Sequence, residues 1–241
     1  SRHAEKNDWK SDLIPGGLIA LIENHDATQI SAREFLSKNL NGLWKQIEKN
    51  LRPELASRLR NSKVGLVFAS TKGCIEDYIH QISDGDSKSH DDPFIDICRD
   101  FEKLNPEIKF SKSLTVSNAC CSSHVALEYI QDIFETRQLD FVILIAADLV
   151  GPFVYKGFSS LKVLSHTENR PFSPERDGLQ LGEALAVLLL SREAGHSQIQ
   201  ISQVASDTEG ASITRPSVNG LGLIRSLQKI KSHSAELKPD L

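Results

Sequence analysis

Apolar residues fall into two kinds of run along this chain. Val64-Gly65-Leu66-Val67-Phe68-Ala69 and Phe141-Val142-Ile143-Leu144-Ile145-Ala146 are apolar without interruption, and a third such run spans Leu185 to Leu190. A strand apolar on both faces is covered on both faces, so these runs predict buried strands. Ser113-Leu114-Thr115-Val116-Ser117 is β-rich, and Ile199 to Val204 alternates, which predicts a further strand. Elsewhere the spacing is helical. Leu36, Leu40, Leu43 and Ile47 make one stripe, behind Ser31 and Glu34 at capping-box spacing. Pro53 opens another helical turn, Ile75, Ile79 and Ile82 mark a helix, and Asp92-Pro93 starts one that carries Phe94, Ile97, Cys98 and Phe101. Val125, Tyr129, Ile130, Ile133 and Phe134 share a face, as do Leu223, Leu227 and Ile230. Strands alternate with helices, which predicts an α/β fold with helices on both faces of the sheet. Residues 83–92 read as a polar loop, and Leu18 to Ile22 is a short apolar run after Pro15-Gly16-Gly17.

Composition narrows the function classes. Lys and Arg number 28 and Asp and Glu 32, so the net charge is −4 and there is no basic footprint for nucleic acid. No apolar run reaches membrane-spanning length, and no signal peptide opens the chain. Four cysteines in 241 residues do not make a disulfide framework, which points to a reducing cytoplasm. Cys74, Cys98, Cys120 and Cys121 lack paired CxxC spacing, so no metal site is expected. The chain begins at Ser1 and contains no methionine, which reads as a removed start or as a piece of a longer protein.

The candidate chemistry lies in Asn118-Ala119-Cys120-Cys121-Ser122-Ser123-His124. This stretch joins a β-rich run to an amphipathic helix. A cysteine at such a junction sits among helix N-terminal amides, which favour a thiolate and can steady an oxyanion beside it. Small neighbours let a carbonyl approach the sulfur. The competing reading is that Cys120 is a small buried core residue. His124 has two readings as well, a base facing Cys120 or a partly exposed helix histidine. Cys98 reads as core.

Three blocks in fixed order resemble the β-ketoacyl synthase family of the thiolase-like superfamily. Asn118-Ala119-Cys120-Cys121-Ser122-Ser123 is similar to that family's Thr-Ala-Cys-Ser-Ser signature. Gly157-Phe158-Ser159-Ser160-Leu161-Lys162-Val163-Leu164-Ser165 is the second block. The third, Arg170-Pro171-Phe172-Ser173-Pro174-Glu175-Arg176-Asp177-Gly178-Leu179-Gln180-Leu181-Gly182-Glu183-Ala184, is the most specific. Ser206-Asp207 and Thr214-Arg215-Pro216 match the strand and loop that follow. The chain departs from the family where Ala146-Ala147-Asp148 replaces Gly-Gly-Ala-Glu and where Ala184-Leu185-Ala186 replaces a glycine-rich stretch. The family's first strand is not recognisable in residues 1–27.

The resemblance implies a thiolase-like layered α/β fold, here the N-terminal half of an αβαβα sandwich. Residues 1–60 would form a helical lead-in with a degraded or missing first strand, and residues 61–241 the ketosynthase N-terminal domain. The family continues from Lys238-Pro239-Asp240 into a His-Gly-Thr-Gly-Thr block and a second histidine that assist decarboxylation, and neither occurs in these 241 residues. The resemblance implies an acyl-cysteine mechanism with Cys120 as nucleophile and Cys121 filling space. It implies site support or a purely structural role for Glu183, and a substrate-pocket position for Phe158. Lys162 would be a contact for acyl carrier protein or a solvated lysine. No cofactor is implied, since substrates ride on the carrier's phosphopantetheine. The implied partners are acyl carrier protein and a second chain, either identical or a chain-length factor, with the strand Phe141 to Ala146 pairing across the two-fold axis. The rival readings are a non-catalytic chain-length-factor-like subunit, a thiolase acting on coenzyme A thioesters, and an interaction module.

Overall fold

The computed structural model describes residues 19–20, 31–83, 92, 94–167, 169–193, 199–210 and 217–233. The expectations for most of residues 1–27, for 84–91, for Pro93, for Thr214-Arg215-Pro216 and for Lys238-Pro239-Asp240 lie outside these residues. The elements in chain order are β1 (Ile19–Ala20), α1 (Ala32–Asn50), α2 (Pro53–Arg60), β2 (Val64–Ala69), α3 (Ile75–Ser83), α4 (Ile95–Leu104) and β3 (Phe110–Val116). They continue as α5 (Ser122–Glu135), β4 (Phe141–Asp148), α6 (Pro152–Ser160), β5 (Leu181–Gly182), β6 (Ala184–Ser191) and α7 (Leu221–His233).

The main sheet has the order β3-β2-β4-β6, with β2 parallel to β3 and β4, and β4 antiparallel to β6. The two uninterrupted apolar runs take the inner positions, as their composition demands. One face carries Val64, Leu66, Phe68, Phe141, Ile143 and Ile145, which pack against Leu36, Leu40 and Trp44 of α1 and against Ile97 and Phe101 of α4. The other carries Val67, Ala69, Val142 and Leu144 against Ala126, Ile130 and Ile133 of α5. The sheet is therefore covered on both sides, as expected for the thiolase-like α/β fold. Short β1 pairs in parallel with β5, so a two-residue strand does occur in the run at residues 18–22.

Four expectations need correction. Phe141–Asp148 is not an edge strand, because β2 occupies one side and β6 the other, and it has no free backbone groups for pairing across a two-fold axis. The free edge next to the candidate site is that of β3. The run Leu185 to Leu190 forms β6 but is only half-covered: Leu190 packs on the cluster that includes α5, while Leu188 on the same face is 44% exposed. Ile199 to Val204 is not a strand: its backbone runs along α5, where Val204 N–H donates to the Gln131 side chain at 2.9 Å, and Ile199 is exposed. Alternation makes a strand only where a sheet edge accepts it. The fourth is Ile82, which is exposed although it shares the α3 stripe.

Helix ends are tied through space. Ser31 Oγ accepts from Glu34 N–H at 3.3 Å, as the capping box predicts. The stronger cap comes from Asp77 of α3, whose carboxylate accepts from the amides of Ala32 and Arg33 at 2.9 and 2.8 Å. Arg33 also clamps α1 to α4, with Nε and Nη2 on Asp100 and Nη1 on Asp96. The guanidinium holds the Asp100 carboxyl below its ordinary range. Arg33→Ala should cost about 2 kcal/mol, less than a fully buried pair because the guanidinium is partly solvated. A pH series of melts checks this. Because the Asp100 pKa is depressed on folding, its contribution is present above the ordinary Asp value and is lost as pH falls through the depressed one. The wild-type advantage over Arg33→Ala should therefore persist at neutral pH and shrink in acid.

Candidate functional site

The parallel register brings three loops to one end of the sheet. Ala69 stands opposite Val116 on one side and Ala146 on the other, so β2 and β3 finish together and β4 runs on to Asp148. Beside Asp148 lie the turn Ser70–Gly73 and the junction Ser117–Cys121. Ligands of parallel α/β sheets bind at this carboxyl end.

Cys120 is exposed, so the core reading of this residue fails. It lies one residue before the N-cap of α5, which is Cys121. Ala119 holds φ +47°, a left-handed conformation that is strained for a residue with a Cβ. Hydrogen bonds fix that turn. Ser122 Oγ accepts from Asn118 N–H at 2.9 Å and lies within donor range of the carbonyls of Ala119 at 2.6 Å and Ser70 at 3.1 Å. Cys121 N–H donates to the Asn118 carbonyl at 3.1 Å. Cys121 is itself exposed at the helix start and does not fill space. His124 is exposed in the first turn of α5. Burial pushes the other thiols up, Cys74 to about 12 and Cys98 to about 11, and leaves them protonated core residues.

The downstream blocks are joined to each other and to β4. Asp177 accepts from Ser165 Oγ, from His166 N–H at 3.1 Å and from Thr167 Oγ1 at 3.1 Å, bonds that hold its carboxyl below the ordinary range. Gly178 lies against the 163–165 backbone, where an added Cβ would be 2.5 Å from Ser165 N and 2.7 Å from Val163 O. The Asp-Gly pair thus staples the third block to the second. Glu183 Oε1 accepts from Val150 N–H at 2.8 Å and fastens the loop after β4. Glu76 does the same for α6: it is buried, accepts from Phe153 N–H at 2.9 Å, and burial raises its pKa. Phe158 is half-buried on the cluster of Val150, Tyr155, Leu164 and Leu181. Lys162 is exposed beyond the end of α6, at φ +56°.

The structure thus puts Cys120, Cys121 and His124 at one end of the sheet. Glu183 meets the loop that follows β4, while Phe158 and Lys162 lie on and after α6. In sequence, Ser70-Thr71-Lys72-Gly73 reads only as a small polar turn that lacks the glycine spacing of a phosphate loop, and Asp148 only as a departure from a motif. In the fold they bond each other beside the cysteine junction. Their signal was small polar residues directly after two buried strands. A groove lined by Ser31, Arg33, Lys38 and Asp100 lies on the α1–α4 side, away from α5, and its Arg33 and Asp100 are paired with each other. Among the described residues no group of three or more His, Cys, Asp or Glu is placed to hold a metal ion.

Residues 111–196 match the family model described as β-ketoacyl synthase, N-terminal domain. No curated protein matches the chain in sequence. Similar solved structures include a β-ketoacyl synthase from Burkholderia phymatum STM815, 17% identical at TM-score 0.64, with 89% of this chain and 58% of that one covered. A second is a chain of the complex between a ketosynthase and its chain length factor from Xenorhabdus doucetiae, 23% identical at TM-score 0.65, covering 90% and 58%. A third is a chain of the complex between a type II PKS acyl carrier protein and its ketosynthase bound to the hexaketide, 20% identical at TM-score 0.64, covering 93% and 60%. The chain therefore spans less than two thirds of the length of these structures. Residues 111–196, with the cysteine junction and the stapled downstream blocks, carry the pattern of a β-ketoacyl synthase N-terminal domain, in a chain that has the thiolase-like ketosynthase fold.

Proposed function

We propose that this chain supplies the acyl-accepting part of a β-ketoacyl-[acyl-carrier-protein] synthase in fatty acid, polyene or polyketide assembly. The observation that carries the reading is an exposed Cys120 at a strained strand-to-helix junction, inside the segment that matches the ketosynthase family. The Cys120 thiolate attacks the carbonyl carbon of an acyl thioester. The tetrahedral oxyanion is steadied by backbone amides at the junction, with Cys120 N–H as the donor that the resemblance assigns. The C–S bond to phosphopantetheine then breaks, and that thiolate leaves and takes a proton. Condensation follows when a malonyl thioester loses carbon dioxide and its carbanion attacks the acyl-cysteine. The histidines for that second step belong to the family's later blocks. Glu183 supports the site through the loop after β4, and Phe158 is the proposed wall of the acyl pocket. The four thiols, free in the structure, fit a reducing compartment such as the cytoplasm.

The proposed partners are acyl carrier protein and a second ketosynthase-like chain, identical or a chain-length factor. Two of the similar structures are complexes of those kinds. The free edge of β3, with polar Ser111, Lys112 and Ser113 exposed, is the place for strand pairing with the second chain. A chain-length-factor-like role is the alternative, and the cysteine argues against it.

Lys162 separates carrier-borne from small donors. Its ammonium would meet acidic groups of the carrier protein and none of a short thioester. Lys162→Glu should raise KM for acyl carrier protein donors about tenfold and leave a small acyl thioester unaffected. Acylation followed by intact mass, with both donor types, checks this. Equal loss with both donors would remove Lys162 from the interface. If neither donor acylates the wild-type chain, the synthase reading fails, and preference for a coenzyme A donor would favour the thiolase rival.

A further inference from the structure

We propose that Asp148 is a positioning residue for the nucleophile junction, acting through the turn Ser70–Gly73. This rests on the reading of Cys120 given above. Asp148 ends β4 and takes three hydrogens from the neighbouring turn. Its Oδ1 accepts from Ser70 Oγ at 3.1 Å, Thr71 N–H at 3.0 Å and Thr71 Oγ1 at 2.5 Å. Lys72 Nζ lies 3.6 Å away, with only 15% of its side chain exposed, so this carboxylate is also the partner of a largely buried charge. Ser70 Oγ in turn accepts from Gly73 N–H at 2.8 Å, which closes the turn on itself.

The far side of the same turn holds the cysteine junction. The Ser70 carbonyl lies 3.1 Å from Ser122 Oγ and shares its single proton with the Ala119 carbonyl, and the Thr71 carbonyl takes the Ser117 hydroxyl at 3.0 Å. Ser122 also bonds Asn118 and Ala119, so it fixes the left-handed residue just before Cys120. The chain of contacts thus runs from Asp148 to Ser70 and Thr71, then to Ser117 and Ser122, then to Ala119 and Cys120. A strained φ persists only where its surroundings over-determine it. Without the carboxylate, Ser70 and Thr71 lose the acceptor that orients them. Lys72 loses its partner, and the two carbonyls that hold the junction become free to turn.

The test uses the four cysteines as internal reporters. The whole chain is treated with a small haloacetamide, and label at each thiol is counted by peptide mass. Cys121 reports on general exposure, and buried Cys98 on the integrity of the fold. In Asp148→Ala the ratio of Cys120 to Cys121 labelling should change at least fivefold, while Cys98 stays protected. Acyl uptake at Cys120 should fall in kcat by about 10-fold at unchanged KM. Asp148→Glu, which keeps the charge on a longer arm, should recover part of both. Thr71→Val removes only one bond to the carboxylate and should move the ratio the same way by about twofold. It decides the matter should Asp148→Ala unfold and expose Cys98. An unchanged ratio in Asp148→Ala, or in Thr71→Val where that variant decides, overturns the positioning role. Absence of acyl uptake by the wild-type chain overturns the functional reading instead, and the labelling ratio still tests the positioning.

Discussion

Cys120→Ala should reduce acyl uptake from an acyl thioester to background, a loss of about 10³-fold or more, while Cys121→Ala stays within about threefold of wild type. The two thiols are chemically identical neighbours and both are exposed, so exposure alone does not choose between them. Placement does. Cys121 is the N-cap of α5, and its carbonyl is already committed to Val125 N–H at 3.0 Å. Cys120 stands just outside the helix, directly after the left-handed Ala119. Single-turnover uptake, followed by intact mass for the two variants side by side, reads the difference. Equal loss in both would mean that the junction geometry and not one sulfur matters, and loss in Cys121→Ala alone would transfer the role.

Gly178→Ala should lower stability by about 3 kcal/mol, a fall in melting temperature of about 10 °C for a chain of this size. The reason is space, not backbone conformation. The new Cβ would stand 2.5 Å from Ser165 N, 2.6 Å from Leu164 C and 2.7 Å from Val163 O. All three are main-chain atoms, and no rotamer change moves them aside. The pair of backbone bonds that joins these segments, Ser165 N–H to the Leu179 carbonyl at 2.8 Å and Leu179 N–H to the Val163 carbonyl at 2.9 Å, must therefore lengthen. Thermal melts together with limited proteolysis between residues 160 and 182 check this. Early cleavage there is expected, and a melt equal to wild type with no new cleavage would show that the segment yields freely.

The parts of the fold legible in the sequence were those set by single segments. Val64–Ala69 and the run from Phe141 to Ala146 read as buried strands because every position in their interiors is apolar, and the α5 stripe was plain from its spacing. The Asp177-Gly178 block was recognisable as a pattern, but its cause was not. The staple between Asp177 and Ser165–Thr167 is a contact between turns. What escaped were relations between segments. The inner place of β4 depends on β6 returning antiparallel beside it, which its own residues do not encode. Trp44 continues the Leu36–Leu40 line at i+4 and is fully buried, with its ring edge-on to Phe101 of α4, a contact that α1's own spacing does not show. The caps from Asp77 and Glu76 come from another helix and leave no local spacing to find. The candidate site divides in the same way. Cys120 was marked by its junction, whereas Ser70, Thr71 and Asp148 become neighbours only when β2, β3 and β4 pair in register.

The central claim is that Cys120 is the acyl-accepting nucleophile of a ketosynthase-like site. The most direct test exposes the unsubstituted chain to a limiting amount of an acyl thioester, or of a cerulenin-like acyl electrophile, and maps the adduct by peptide mass. The account predicts one acyl group per chain, carried on Cys120, with Cys121 largely free and buried Cys74 and Cys98 untouched. Acyl carried on Cys121 alone, or no adduct on either thiol under conditions where the chain is folded, would contradict it.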